Sequence, residues 1–191
     1  MAPPLHPCCQ DQHVKTLESR RVRLRQWSRE DASFVFVMCS RWEVQRYIGV
    51  NPRVLHEREE AVDLIGRWQA RQDDLHRVWA VEHHDGRLLG TLLLVAISGS
   101  GTPPLQPTGE TEIGWYFHPD AWGQGFAHEA ASLGLGYAFA AGLKKVLAVT
   151  HPDNTPSQAL CRRLGMRHEG RSDRYYNMTC ELFSTDKPGT A

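Results

Sequence analysis

The sequence lacks a long apolar segment, an excess of either charge and a paired cysteine pattern, and each absence excludes a class of protein. No apolar run approaches the roughly 20 residues that a membrane-spanning helix needs, and the first residues lack the apolar stretch of a signal peptide. Lysine plus arginine number 22, as do aspartate plus glutamate. Proteins that bind nucleic acid through its phosphates usually carry a basic excess. We therefore expect neither a membrane nor a nucleic-acid partner.

The cysteines and histidines show no metal-binding or disulfide pattern. The five cysteines are odd in number and contain no CxxC pair. This is typical of a reducing compartment, so we expect a cytoplasmic protein. Ten histidines are present without an HExxH motif, and the adjacent His83 and His84 would point to opposite faces of a strand. We expect no metal site.

Composition and periodicity indicate one domain with short tails. The chain has 191 residues, of which 41% are hydrophobic and 23% charged, as in ordinary globular domains. Residues 1–13 and 185–191 show no periodic pattern, and we predict that both are disordered. Residues 14–184 are predicted to form a single domain.

The first half of the chain predicts strands and two helices. Val22 and Leu24 alternate with arginines, which indicates a half-exposed strand. Ser28, followed three residues later by Asp31, predicts the start of one helix. A second helix is indicated by one apolar stripe, formed by Ala61, Leu64, Ile65 and Trp68. Further strands are predicted at residues 78–82, 88–96 and 110–117, with a turn at residues 85–86.

The second half alternates strand and helix. We predict a long helix from Gly125 to Ala141, a strand at 146–150, a helix at 155–164 and closing strands at 166–170 and 176–183. Thr155 is predicted to be the N-cap of the later helix, with Pro156 at its first position and Gln158 completing a capping box. The whole order indicates an α/β fold with a mixed sheet and helices on both faces.

The segment Gly123-Gln124-Gly125-Phe126-Ala127 has the features of an anion site. A strand that leads into a glycine-rich turn and then a helix leaves main-chain N–H groups unpaired, and the helix dipole adds positive charge there. Glycine lets a phosphate approach the main chain. The segment matches neither a P-loop, which needs Gly-Lys-Ser/Thr, nor a dinucleotide fingerprint, because His128 stands at the third glycine position. We predict a diphosphate site; an ordinary glycine turn is the alternative.

Two polar residues near the later helix remain after its predicted cap is accounted for. Asn154 would lie just before the helix and Ser157 in its first turn, so both can face the end of the neighbouring strand. An asparagine in this place can bond to an amide of an extended ligand. The alternative for both residues is stabilisation of the turn.

These segments together resemble the GNAT superfamily of N-acetyltransferases, over residues 14–184, and most closely its ribosomal-protein alanine acetyltransferase-like branch. Three stretches carry the resemblance: Glu112-Ile113-Gly114-Trp115-Tyr116-Phe117-His118-Pro119, Trp122-Gly123-Gln124-Gly125-Phe126-Ala127, and Asn154-Thr155-Pro156-Ser157 running to Arg163-Leu164-Gly165-Met166. The resemblance implies the acyl-CoA N-acyltransferase fold, whose central mixed sheet has two splayed strands. It also implies acetyl-CoA as the acyl donor.

The resemblance implies where acetyl-CoA would lie. The pantetheine arm would enter the gap beside the strand that ends at Phe117 and pair with the main chain of Trp115, Tyr116 and Phe117. The diphosphate would bind to the N–H groups of Gly123, Gln124, Gly125, Phe126 and Ala127, and Asn154 and Ser157 would contact the cofactor. Trp122 departs from the Arg or Gln often found in the family, with little consequence because the backbone binds the ligand.

Chemistry in this family is direct attack of a neutral amine on the thioester, in a ternary complex. It requires a route for the amine proton and an acid for the departing thiolate. Glu112 is the candidate base and Glu110, on the same strand face, is the rival; either could instead be solvated. Many members have a tyrosine as the acid where this chain has Cys161, whose thiol could donate a proton or could be part of the core. Ser157 is the substitute that the closer branch suggests, and Tyr175 and Tyr176 remain open.

The resemblance places the acceptor between the first helices and the closing strands. Here the site would be formed by Arg41–Asn51, with Trp42, Tyr47 and Ile48, facing Tyr175 and Tyr176. The predicted acceptor is a primary amine, such as a protein N-terminus, a small amine or an aminoglycoside-like molecule. The alternative function, favoured by the missing tyrosine, is a non-catalytic acyl-CoA-binding regulatory protein. The sequence is compatible with a homodimer.

Overall fold

The computed structural model describes residues 16–189. The predicted tail at residues 1–13 lies outside this range. Eight strands form one sheet: Leu17–Glu18 (β1), Val22–Gln26 (β2), Arg77–His83 (β3), Leu88–Ser98 (β4), Pro107–Phe117 (β5), Lys145–Thr150 (β6), Arg167–Tyr175 (β7) and Met178–Asp186 (β8). The helices are Ala32–Cys39 (α1), Trp42–Gln45 (α2), Arg58–Ala70 (α3), Phe126–Ala140 (α4) and Thr155–Arg163 (α5). No helix in this part of the chain is long and apolar enough to cross a membrane.

The sheet is mixed and opens at its centre. Its order is β1-β2-β3-β4-β5-β6-β8-β7, and β5 with β6 is the parallel pair. These two strands pair at a single position, Glu112 opposite Leu147. Beyond it, the main-chain edges of β5 and β6 diverge without bonding to each other, whereas their outer edges pair fully with β4 and β8. The predicted fold class and the splayed strands are confirmed.

Helices cover both faces of the sheet, as predicted. On one face α4 and α5 bury a core with the inward side chains of β2–β6, and on the other α1 and α3 pack over β3. The long helix α4 lies close to the sheet because Gly134 has no side chain. A Cβ there would come within 2.8 Å of a methyl carbon of Leu92. This close packing fixes the N-terminal end of α4 beside the gap.

Three local predictions were wrong. The N-cap of α5 is Asn154, not Thr155: Asn154 Oδ1 accepts from the Ser157 N–H, and Gln158 instead donates to the carbonyl of Pro152. Tyr176 lies in the turn between β7 and β8, not in a strand. The last strand continues to Asp186, two residues into the predicted C-terminal tail, because it pairs with β6 over that strand's whole length.

Candidate active site

The gap between β5 and β6 opens into a cavity of about 800 Å³. Trp115, Tyr116 and Phe117 line it from β5, and Ala148, Val149 and Thr150 line it from β6. The Thr150 hydroxyl is buried and has no hydrogen-bond partner among the described residues. An extended ligand with amide groups fits this gap, since it can pair with both free strand edges and with that hydroxyl.

The glycine turn lies at one end of the cavity. Gly123 and Gly125 have left-handed φ values of 71° and 81°, which glycine adopts without strain. Within the described residues, no protein acceptor bonds to the main-chain N–H groups from Gly123 to Ala127. The side chains of Gln124 and Phe126 do not line the cavity, so any role of these two residues in binding is through the main chain. The turn therefore presents free donors at the start of a fifteen-residue helix, which suits a diphosphate.

An ion pair that the sequence did not reveal supports this turn. Glu129, in the first turn of α4, accepts from the Ser19 hydroxyl (2.7 Å), from the Arg21 main-chain N–H (2.8 Å) and from Arg21 Nε (2.7 Å). Arg21 Nη1 also donates to the carbonyl of Gln124 (3.0 Å). Burial raises the pKa of Glu129, but the hydrogen bonds from Ser19 and Arg21 bring it below its ordinary value. We call this set, Ser19–Arg21–Glu129, the latch.

Breaking the latch should weaken donor binding. Arg21→Gln removes the guanidinium from Glu129 and Gln124, and we expect the KM for acetyl-CoA to rise about tenfold, as one lost charge-assisted contact predicts. The KM for the amine should change little. Steady-state kinetics with each substrate varied in turn measures both values.

The control is Arg23→Gln, two residues later and inside β2. Arg23 pairs with Glu18 and Glu82 and lies away from the turn. Equal effects of the two substitutions, or an unchanged acetyl-CoA constant in Arg21→Gln, would contradict a role for the latch in donor binding.

Asn154 and Ser157 both line the cavity, as the sequence predicted. Asn154 is half-buried, and its side-chain oxygen caps α5. The cap leaves the amide N–H₂ of Asn154 without an acceptor among the described residues. Asn154 can therefore stabilise the helix through one atom and bind a ligand through the other, so the two alternatives for this residue are compatible.

Glu112 lies in the wall of the cavity at the point where β5 and β6 part. The Tyr176 hydroxyl donates to its Oε1. Burial raises the pKa of Glu112 to about 7, although the Tyr176 hydrogen bond and the charge of Arg71 act in the opposite direction. A carboxyl with such a pKa is ionised in part at neutral pH and can accept a proton there.

Glu110 is engaged elsewhere. Its Oε2 accepts from the Tyr175 hydroxyl (2.8 Å) and lies 3.5 Å from Arg174 Nη2, and Glu110 is not among the residues that line the cavity. The geometry therefore favours Glu112 over Glu110 as the base.

The four candidate acids reduce to two. Cys161 is fully buried in the core, and burial raises the pKa of its thiol to about 12. Tyr175 is also buried and donates to Glu110. Neither lines the cavity, whereas Ser157 and Tyr176 do. Burial is also the main reason that the pKa of Tyr176 lies well above its ordinary value, so its hydroxyl keeps its proton at neutral pH.

A tight turn fixes the position of Tyr176. Tyr176 and Asn177 have φ values of 58° and 54°, the backbone of a two-residue type I′ hairpin, although neither is glycine. The Tyr176 N–H donates to the carbonyl of Ser98 (3.2 Å), and Asn177 Oδ1 accepts from the Gly101 N–H (2.7 Å). These bonds hold the turn against the β4–β5 loop and direct the phenol to Glu112.

Only some residues of the predicted acceptor site line the cavity, and their role in binding an acceptor stays a prediction. Tyr47 and Ile48 line the cavity opposite Tyr176, as expected. Trp42 does not: 56% of its surface is exposed, and it lies outside the cavity. Tyr175 was predicted to face this site but is buried beneath it. The difference arises because neighbouring residues in the hairpin turn point in different directions.

Comparison with known proteins identifies the family. A family model described as an acetyltransferase (GNAT) domain matches residues 21–167. YoaA of Bacillus subtilis (strain 168), named an uncharacterized N-acetyltransferase, is 32% identical over 180 residues, which cover 90% of this chain and 97% of YoaA. A GNAT-family acetyltransferase structure from Bacillus anthracis has a TM-score of 0.73 at 22% identity, covering 91% of this chain and 99% of its own. Mycobacterium smegmatis RimJ, in complex with CoA-disulfide, has a TM-score of 0.70 at 21% identity, covering 90% and 87%. The chain therefore belongs to the GNAT family of acetyltransferases, and acetyl-CoA is its acetyl donor.

Proposed function

We propose that this acetyltransferase acts on a primary amine by direct attack in a ternary complex, with Glu112 as the general base. The observation that carries the proposal is the place of Glu112, in the cavity wall where the two strands separate. A thioester that enters between β5 and β6 would lie next to this carboxylate. The raised pKa of Glu112, about 7, suits a base that operates near neutral pH.

The residues around Glu112 support a balanced proton path. The amine nitrogen attacks the thioester carbonyl carbon, the C–S bond breaks, and Glu112 takes the proton that the nitrogen loses. The departing thiolate needs a proton from Ser157 or Tyr176, which are the hydroxyl side chains of the predicted set that line the cavity. Because Tyr176 donates to Glu112 directly, the phenol also holds the carboxylate in place.

We propose that acetyl-CoA binds along the free polar groups already described. The main chain of Trp115 to Phe117, the amide of Asn154 and the hydroxyl of Thr150 would bind the pantetheine arm. The N–H groups of Gly123 to Ala127 would bind the diphosphate. Thr150 is an addition to the predicted set, and its unpaired buried hydroxyl is the reason.

The cell compartment is also proposed. Cys39, Cys161 and Cys180 are buried, unpaired thiols, which fits a reducing compartment such as the cytoplasm.

The function is tested by measuring CoA release from acetyl-CoA with a panel of primary amines that includes peptides, small amines and amino acids. We expect saturable release with at least one class, and the acetylated product should be an amide. The matched measurement is acetyl-CoA affinity by calorimetry. Micromolar binding without turnover across the panel would instead support the non-catalytic acyl-CoA-binding protein.

A further inference from the structure

The end of the cavity away from the glycine turn has its own chemistry. We call it the acceptor end and define it by the lining residues Arg46, Tyr47, Ile48, Arg71, Leu105, Tyr176 and Met178. Most of this surface is apolar or aromatic. The charged side chains that line the cavity are Glu43, Arg46, Arg71, Glu112 and Arg163. Of these, Arg163 belongs to the opposite end, beside His128 and Gly125.

Apart from the carboxyl of Glu112, the charges at the acceptor end that form no ion pair are two arginines. Glu43 lies 3.5 Å from the guanidinium of Arg41. Arg46 has its guanidinium 4.7 Å from the centre of the Tyr47 ring and makes no ion pair with a described residue. Arg71 likewise forms no ion pair or side-chain hydrogen bond within residues 16–189. An acceptor that carried only positive charge would meet two free cations here, and such a pairing is unfavourable.

Arg71 is the unpaired arginine whose charge acts on Glu112 and Tyr176. It is the C-cap residue of α3, directly after Ala70, and it lines the same cavity as Glu112. Its charge acts on Glu112, Tyr116 and Tyr176, lowering the pKa of each against the larger opposing effect of burial. A guanidinium has a planar set of donors that matches a carboxylate or phosphate in two-point contact. Such a group, bound by Arg71, would lie in the same cavity as Glu112.

We propose that the acceptor is a small primary amine that carries an anionic group close to its nitrogen, as a free α-amino acid does, and that Arg71 binds this group. The inference rests on the proposed function and gives its substrate class. A peptide N-terminus fits less well, because its first carboxyl group is already an amide and has no charge to offer Arg71. The apolar residues Ile48, Leu105 and Met178 would then contact the remainder of the acceptor.

The test compares amines with and without the anionic group, and kcat/KM is expressed per neutral amine because the anionic group also raises the pKa of the amine. CoA release is measured for α-amino acids against their carboxamides, and for phosphoethanolamine against ethanolamine, at pH 8.5 so that Glu112 is ionised throughout. We expect kcat/KM to be roughly 10- to 100-fold higher for the anionic member of at least one pair, as a hydrogen bond to a charged group predicts. The pair with the larger ratio of kcat/KM shows whether the bound group is a carboxylate or a phosphate.

Arg71→Gln should reduce that ratio to near one, while Arg67→Gln, on an exposed position one turn earlier in α3, should keep it. If kcat/KM for the carboxamides equals or exceeds that for the acids, the inference is overturned and the proposed function still holds. If Arg71→Gln lowers kcat/KM equally for both amines of a pair, the inference is also overturned. Failure of every amine would instead count against the proposed function.

Discussion

Glu112→Gln should lower kcat/KM at pH 7 by about 10²- to 10⁴-fold, the usual contribution of a general base. The substitution preserves the shape of the side chain and an oxygen that can accept from Tyr176, so the cavity should keep its form. Its amide cannot accept the amine proton. Acetyl-CoA affinity, measured by calorimetry, should stay near the wild-type value, because the loss is in chemistry and not in donor binding.

The pH profile distinguishes a base from a structural residue. In the wild type, kcat/KM should rise as Glu112 loses its proton near pH 7. Tyr176→Phe removes the hydrogen bond that opposes the effect of burial, so the pKa of Glu112 should increase and this limb should move to higher pH. The limb should be absent in Glu112→Gln. A wild-type profile in Glu112→Gln would remove Glu112 as the base.

Ionisation of Glu112, which should increase activity, should decrease the stability of the fold. The pKa of Glu112 is about 7 in the folded chain against 4.5 without the fold, so the folded state holds the proton more tightly. The wild type therefore loses stability as pH rises from about 4.5 through 7. Glu112→Gln avoids this loss, and at pH 8 its free energy of unfolding should be higher by up to about 3 kcal/mol. Urea titrations at pH 4 and pH 8 measure the difference, which should vanish at the lower pH.

Gly125→Val should raise the dissociation constant of acetyl-CoA by about 100-fold or more. Gly125 has a φ of 81°, which a β-branched residue adopts only with strain, and its Cβ would lie 3.3 Å from Arg21 Nη2. The side chain would also cover the N–H groups proposed to bind the diphosphate. Calorimetry with acetyl-CoA measures the constant, and circular dichroism checks that the variant folds.

The matched control is Gly136→Ala, further along the same helix. A Cβ at Gly136 meets no atom within 4 Å, so this change should leave donor affinity as it is and slightly favour the helix. A milder variant, Gly125→Ala, should give an intermediate loss. If Gly125→Val folds and binds acetyl-CoA as the wild type does, the diphosphate does not lie on this turn.

The sequence was sufficient for the parts of the site that depend on local order. A strand, a glycine turn and a helix in succession leave main-chain donors unpaired, so the free N–H groups near Gly123 and Gly125 followed from the sequence, whereas their binding of a diphosphate stays a prediction. The splay of β5 from β6 followed from the family resemblance. The face shared by Glu110 and Glu112 followed from strand alternation, and both carboxylates do accept from tyrosines of the same hairpin.

The sequence was insufficient where contacts join distant segments. The alternating arginines beginning at Arg21 resemble a solvated strand face, and nothing local marks Arg21 as the partner of Glu129. The choice between Glu110 and Glu112 also depends on which one the hairpin turn leaves facing the cavity. Arg71 is the C-cap of α3 and has no motif around it, so only the three-dimensional structure shows that it lines the same cavity as Glu112.

The latch has a consequence for how donor recognition is encoded. Arg21 and Glu129 are 108 positions apart, yet together they brace the turn whose N–H groups we propose to bind the diphosphate. The glycine motif alone therefore contains only one of the two segments that fix the turn. Moving the motif into another scaffold without a matching arginine just before the second strand would keep the motif's sequence and lose the hydrogen bonds that brace the turn.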